Sequence, residues 1–151
     1  MPERVHVREV TDPAEAATLV PAFARLIPQL SSSAPPVDVD ALAAIVAGEA
    51  THLLVAEGPD GDVLGSLTLV VFRIPTGMRA WIEDVVVDDD ARGRGVGDAL
   101  NRFALDLAAE LGCRTVDLTS RPSREAANRL YRRIGFAARE TNVYRYAIDP
   151  E

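Results

Sequence analysis

Arg92-Gly93-Arg94-Gly95-Val96-Gly97 is the stretch of this chain whose residue types and spacing are best suited to chemistry. It follows the apolar run Trp81-Ile82-Glu83-Asp84-Val85-Val86-Val87 and the acidic turn Asp88-Asp89-Asp90, and it opens a segment with helical spacing. A glycine-rich helix start turns unbonded backbone N–H groups and the positive end of the helix dipole outward, and glycine lets an anion approach closely. Arg92 and Arg94 add forked donors suited to phosphate. The pattern predicts a pyrophosphate site; a flexible helix start with solvated arginines is its competitor. A Walker loop is excluded because it ends in Gly-Lys-Ser/Thr and this chain has no lysine. A dinucleotide fingerprint starting at Gly95 needs glycine or alanine at position 100, which is Leu100.

The elements that must hold this turn can be read from periodicity. Residues 4–9 alternate as a strand. Asp12-Pro13 opens a helix, because Asp caps and Pro suits the first turn, and apolar spacing carries it to about Pro28. The loop of residues 31–36 breaks it, and Asp38 or Asp40 caps a second helix that Gly48 closes. Strands follow at 52–57, 63–74 and 79–87, with Gly65 as a candidate bulge. A helix over 95–111 ends at Gly112, a strand spans 113–119, and a helix over 123–134 stops at Gly135. Residues 136–138 and 142–148 read as a final hairpin. The fold class is therefore α/β, a mixed sheet with helices on both faces.

Composition bounds the rest. A length of 151 residues predicts one domain over 1–151. The longest apolar stretch is far shorter than the ~18 residues of a membrane span, and the N-terminal ten residues carry no leader-like run. Cys113 is the one cysteine, so no internal disulfide is available and the cytoplasm is the expected compartment. All sixteen basic residues are arginine, and the net charge is −7, divided as −10 over residues 1–90 and +3 over 91–151. An acidic protein is a poor nonspecific nucleic-acid binder, whereas a locally positive second half suits a small anion. Asp88-Asp89-Asp90 lacks the further spaced ligands of a calcium loop and is expected as a solvated turn, with no metal site. His6 and His52 are isolated, and Cys113 opens an apolar strand, so these are expected to be structural.

Two segments together resemble a known family. Arg92-Gly93-Arg94-Gly95-Val96-Gly97 matches the Arg/Gln-x-x-Gly-x-Gly/Ala motif of the GNAT superfamily of acyl-CoA-dependent N-acyltransferases, where it follows the fourth strand and opens the third helix. Some thirty residues on, Ala127, Leu130, Tyr131, Gly135 and Phe136 match the second signature, Asn-x-x-Ala-x-x-Leu/Phe-Tyr-x-x-x-Gly-Phe. Arg124 stands where that signature has its asparagine, and Asn128 lies one helical turn further. The order of elements resembles the family over nearly the whole chain. The Ile82-to-Val87 strand is also similar to that of glucosamine-6-phosphate N-acetyltransferases.

The resemblance implies a mostly antiparallel central sheet whose fourth and fifth strands splay at a bulge. It implies acetyl-CoA as cosubstrate. Its pantetheine arm would pair with the backbone of Val85, Val86 and Val87, and its pyrophosphate would meet the amides of Gly93, Arg94, Gly95, Val96, Gly97 and Asp98. Asn128 would hydrogen-bond the arm, and Tyr131 would sit by the sulfur. The acceptor is then a primary amine on a small molecule or a peptide. An alkyl ammonium with a pKa near ~10.4 must lose a proton before it attacks, and a carboxylate can take that proton directly or through water. Strict alternation puts Glu83 on one face with Trp81, Val85 and Val87, and Asp84 on the other; Glu83 is the first choice, and a bulge would bring in Asp84. An N–H near Val85 is placed to stabilise charge on the carbonyl oxygen, and Tyr131 is suited to protonate the departing thiolate.

The loop of residues 31–36, the turn at 74–78 and the final hairpin are expected to govern the acceptor. Trp81, Tyr144 and Tyr146 either line its pocket or pack across strands. The exposed edge of that hairpin makes a homodimer the candidate assembly. The competing function is a non-catalytic acyl-CoA-binding sensor or assembly module, which needs residues 92–97 but neither Tyr131 nor a carboxylate.

Overall fold

The computed structural model describes residues 4–149; the first three residues of the stretch read for a leader lie outside them, as do the last two of the chain. The chain divides into two compact units, residues 1–119 and 120–151.

The first unit is built on a five-stranded sheet. Its strands are β1 (His6–Val10), β2 (Thr51–Glu57), β3 (Val63–Ile74), β4 (Gly77–Val87) and β5 (Thr115–Asp117), in that spatial order. All neighbours are antiparallel except β4 and β5, which run parallel. Helix α1 (Ala16–Leu30) follows a single 3-10 turn, where the Asp12 carboxylate accepts from the Ala14 N–H at 3.0 Å. Helix α2 (Val39–Ala47) starts where Asp38 accepts from the Ala41 N–H at 2.8 Å, and Gly48 closes it. These are the caps that the sequence predicts, and they satisfy amides a helix start leaves unbonded.

Helices α1 and α2 cover one face of the sheet. Leu19 and Phe23 of α1 and Leu42 of α2 are buried with Val10, Leu53 and Val55 of the first two strands. Helix α3 (Val96–Glu110) covers the other face. Gly65 makes that approach possible: a Cβ there would lie 2.7 Å from the Val86 carbonyl oxygen and 3.0 Å from Val96 Cγ1. The β2–β3 ladder slips beside it, where Glu57 pairs with Val63 and Ala56 with Gly65. The start of α3 is thereby held against the end of β4.

Strand β4 breaks step in its second half. Thr68 of β3 pairs with Glu83, but Ser66 pairs with Val86, so two residues, Asp84 and Val85, stand opposite Leu67. This bulge corrects the strict alternation expected above. Cross-strand partners share a face. Glu83 therefore lies with Thr68, and Val86 with Ser66, on the α1–α2 side. The extra residue shifts parity by one, as a bulge must.

Strand β5 is shorter than the expected 113–119. Its pairs with β4 are Arg79 to Thr115, Ala80 to Val116 and Trp81 to Asp117. The Cys113 N–H turns back to the Ala108 carbonyl and helps close α3, so it is spent before the strand begins. Past Trp81, β4 enters its bulge and the two strands fork, which removes the ladder that residues 118–119 would need. Arg79 donates to Asp117 across the root of the fork.

The second unit holds α4 (Glu125–Ile134). Gly135, at φ +124°, and Phe136 return their N–H groups to the Tyr131 carbonyl and end the helix there. The hairpin expected over 136–138 and 142–148 does not form: the described residues beyond α4 contain no strand, and Tyr144, Tyr146 and Ile148 are 87–89% exposed. Alternation makes a strand only where one face finds something to bury against, and a lone two-stranded ribbon is marginal. The edge that pointed to a homodimer is absent with it.

An ion pair ties α1 to the turn that follows β4. Arg25 Nε donates to Asp88 Oδ2 at 2.8 Å, and the Asp90 N–H donates to Asp88 Oδ1 at 3.2 Å. The Asp90 amide, and then Arg25, hold the buried Asp88 carboxyl below its usual range. A depressed native pKa gives stability that is present above the unfolded value near ~3.9 and lost as pH falls through the native one. Urea midpoints measured from pH 6 to 3 should therefore fall at the acid end, and Asp88→Asn should flatten that fall.

Candidate functional site

Four features of the first unit converge on the C-terminal half of β4. The first is the fork: from Ile82 onward, β4 has no paired strand on its β5 side among the described residues. Its backbone there, including Val85, Val86 and Val87, is an open strand edge, and such an edge accepts an extended ligand as a further strand.

The second feature is the helix start that follows. Gly93 and Gly95 take φ values of +79° and +78°, which side chains resist, and a Cβ at either would meet nothing within 4 Å. Gly95 is the N-cap of α3, and no side chain caps the first turn. Asp98 turns instead to Arg102, at 2.7 Å. The first N–H groups of Val96, Gly97 and Asp98 thus lie at an uncapped positive helix end beside open space, which fits a pyrophosphate. Arg92 is exposed and pairs with Asp89 at 2.9 Å, while Arg94 is half-buried.

The third feature is the bulge itself. Asp84 has φ +50°, the one positive φ outside glycine among the described residues. Aspartate tolerates this better than most residues, and such strain gathers at functional sites. Glu83 and Asp84 are both exposed, and neither carboxylate has a hydrogen-bond or ion-pair partner among the described residues. By contrast, Asp88, Asp98 and Asp117 are each held by an arginine.

The fourth feature is a cavity of about 190 Å³ between the sheet and helices α1 and α2. Phe23, Leu42 and Leu53 form its buried apolar floor, and Ala34 and Pro35 of the α1–α2 loop stand at its exposed rim. Ser66, Thr68 and Asp84 supply its polar atoms. The bulge brings Asp84 into the lining; Glu83 sits on the same side without lining it. Part of the loop expected to govern an acceptor is therefore present, but Trp81, Tyr144 and Tyr146 are not among the lining residues. Sequence reasoning missed this cavity. One signal was available: Ser66 and Thr68 interrupt the apolar run of β3 with period two, which marks hydroxyls on one face.

In the second unit, Tyr131 is buried and its ring meets Phe136 edge-on, with centroids 5.8 Å apart. Burial pushes the Tyr131 hydroxyl above its usual pKa, opposed by the nearby Arg124 charge. Asn128 Nδ2 donates to the Arg121 carbonyl at 3.0 Å, and its side chain lines a groove with Arg129 and Arg132. Part of its hydrogen-bonding capacity is thus used locally. Cys113 is half-buried, and burial pushes its thiol up, away from nucleophile character. No group of histidine, cysteine and carboxylate side chains among the described residues is arranged to hold a metal, and no helix there is long and apolar enough to cross a membrane.

Comparison with known proteins gives these features a context. A sequence model of the acetyltransferase (GNAT) family matches residues 21–136. A probable glucosamine 6-phosphate N-acetyltransferase of Oryza sativa is 33% identical over 143 residues, covering 87% of this chain and 84% of that protein. Against two other curated N-acetyltransferases, the match covers only 27% and 58% of their length. A putative acetyltransferase from Agrobacterium tumefaciens superposes with a TM-score of 0.81 at 25% identity, over 94% of this chain and 99% of that one. An aminoglycoside N-acetyltransferase solved in complex with CoA shares the fold, with a TM-score of 0.76 at 18% identity over 97% and 96%.

Proposed function

The chain belongs to the acetyltransferase (GNAT) family, and on that premise we propose that it moves the acetyl group of acetyl-CoA to a primary amine by direct attack. The observation that carries this reading is the bulge in β4, which sets Asp84 in an apolar cavity on the strand that ends at an uncapped, glycine-lined helix start.

Acetyl-CoA, when bound, supplies an activated thioester; the chain does the rest. The α3 amides and Arg94 hold the pyrophosphate, and the open backbone of residues 85–87 holds the pantetheine arm, with Asn128 offering its remaining polar atom to it. Asp84 takes the proton from the acceptor ammonium, with Glu83 beside it keeping the site negative. The amide near Val85 stabilises charge on the carbonyl oxygen as nitrogen bonds to carbon. Tyr131 gives its proton to the departing sulfur, the nitrogen sheds its second proton to water as the amide forms, and water reprotonates Tyr131, whose raised pKa keeps that proton in place at neutral pH. The reading takes residues 1–151 as one functional domain acting in the cytoplasm, with no nucleic-acid partner, since a net charge of −7 opposes nonspecific binding along a nucleic-acid backbone.

Thiol release from acetyl-CoA in the presence of amines, with calorimetric acetyl-CoA binding alongside, tests the reading. Turnover supports it. Tight binding without turnover on any amine would favour the sensing module instead. Tyr131→Phe should keep acetyl-CoA affinity and lose about 100-fold in kcat. An unchanged kcat would remove Tyr131 as the acid.

A further inference from the structure

The cavity beside β4 also says what kind of body carries the acceptor amine. Among the described residues, Asp84 is the one ionisable side chain in its lining, and no arginine or histidine joins it. The remaining surface is aliphatic or aromatic apart from two hydroxyls, and one of these, Ser66 Oγ, already donates to the Leu54 carbonyl at 2.8 Å. At about 190 Å³ the space is smaller than the ~300–1,000 Å³ of pockets for drug-sized ligands.

Resting on the acyl-transfer reading, we propose that the acceptor is a primary amine borne on a single small, uncharged apolar group. Its ammonium pairs with Asp84, and its alkyl or aryl body fills the space over Phe23, Leu42 and Leu53. A sugar phosphate would bring its dianion to a lining with one carboxylate and no cation. A polyamine or an aminoglycoside would press further ammonium groups against apolar walls, and burying an unpaired charge is expensive. A small apolar body instead gains from each carbon it removes from water.

The test uses the intact protein with acetyl-CoA and a matched panel: propylamine, butylamine, pentylamine and benzylamine against glucosamine 6-phosphate, spermidine and kanamycin. We expect kcat/KM to rise about fourfold per added methylene from propyl to pentyl, the value of one buried methylene. Pentylamine or benzylamine should exceed each polar amine by about 100-fold or more. Ile45→Asp, at a half-buried lining position, should abolish the dependence on alkyl length while leaving the acetyl-CoA Kd unchanged. A flat series, or a sugar phosphate, polyamine or aminoglycoside turned over as fast as pentylamine, overturns the apolar acceptor and leaves acyl transfer standing. Absence of thiol release with every amine overturns acyl transfer and this proposal with it.

Discussion

Asp84→Asn should lower kcat/KM for the amine by about 100- to 1,000-fold, in the range that loss of a positioned base produces, while acetyl-CoA binds as before. The substitution is chosen because it removes charge and leaves shape. Asp84 sits at φ +50° in the β4 bulge, and asparagine accepts that backbone region as readily as aspartate. A loss of rate therefore reports the carboxylate and not a relaxed bulge. The remaining activity has a signature of its own. Without a base, only the amine already deprotonated in solution can attack, so the rate should climb about tenfold per pH unit toward the amine pKa near ~10.4. Glu83→Gln, one residue away and outside the cavity lining, should cost less than about tenfold, the scale of a screened neighbouring charge. If Glu83→Gln carries the large loss and Asp84→Asn the small one, the two roles are exchanged.

Gly95→Glu should weaken acetyl-CoA binding by more than about 100-fold, because several charge-assisted hydrogen bonds of ~1.5–3 kcal/mol are at stake together. Gly95 is the N-cap of α3 at φ +78°, and the space over its Cα is open. Glutamate at this position takes a left-handed backbone at a cost of ~1–2 kcal/mol. It also fills the space where phosphate would lie and sets a carboxylate at the positive helix end that would hold it. Gly93→Ala separates these effects. At φ +79° it carries the backbone strain without bulk or charge, and about a tenfold loss is expected from ~1–2 kcal/mol. Calorimetry reads both affinities, and thermal unfolding confirms that each variant is folded. An unchanged Kd for Gly95→Glu would move the pyrophosphate away from this turn.

Local chemistry in the chain was enough to find most elements. Asp12 caps the 3-10 turn that leads into α1, Asp38 caps α2, and Gly48, Gly112 and Gly135 stand where helices end, because each of these depends only on near neighbours in the chain. The glycine-rich turn was legible for the same reason: an uncapped helix start with two left-handed glycines is a local property. Long-range pairing decided the rest. Strand β5 is short because it forks from β4, and the last hairpin is missing because its alternating residues have no face to cover. Periodicity in residues 79–87 named both carboxylates but could not say where the ladder slips. A slip of one residue reverses every side chain beyond it, and only the pairing of Thr68 with Glu83 and Ser66 with Val86 shows that it falls at Asp84. The cavity belongs to the same class. It forms where α1, α2 and three strands meet, and residues from Phe23 to Val86 become neighbours only once the sheet has set their register.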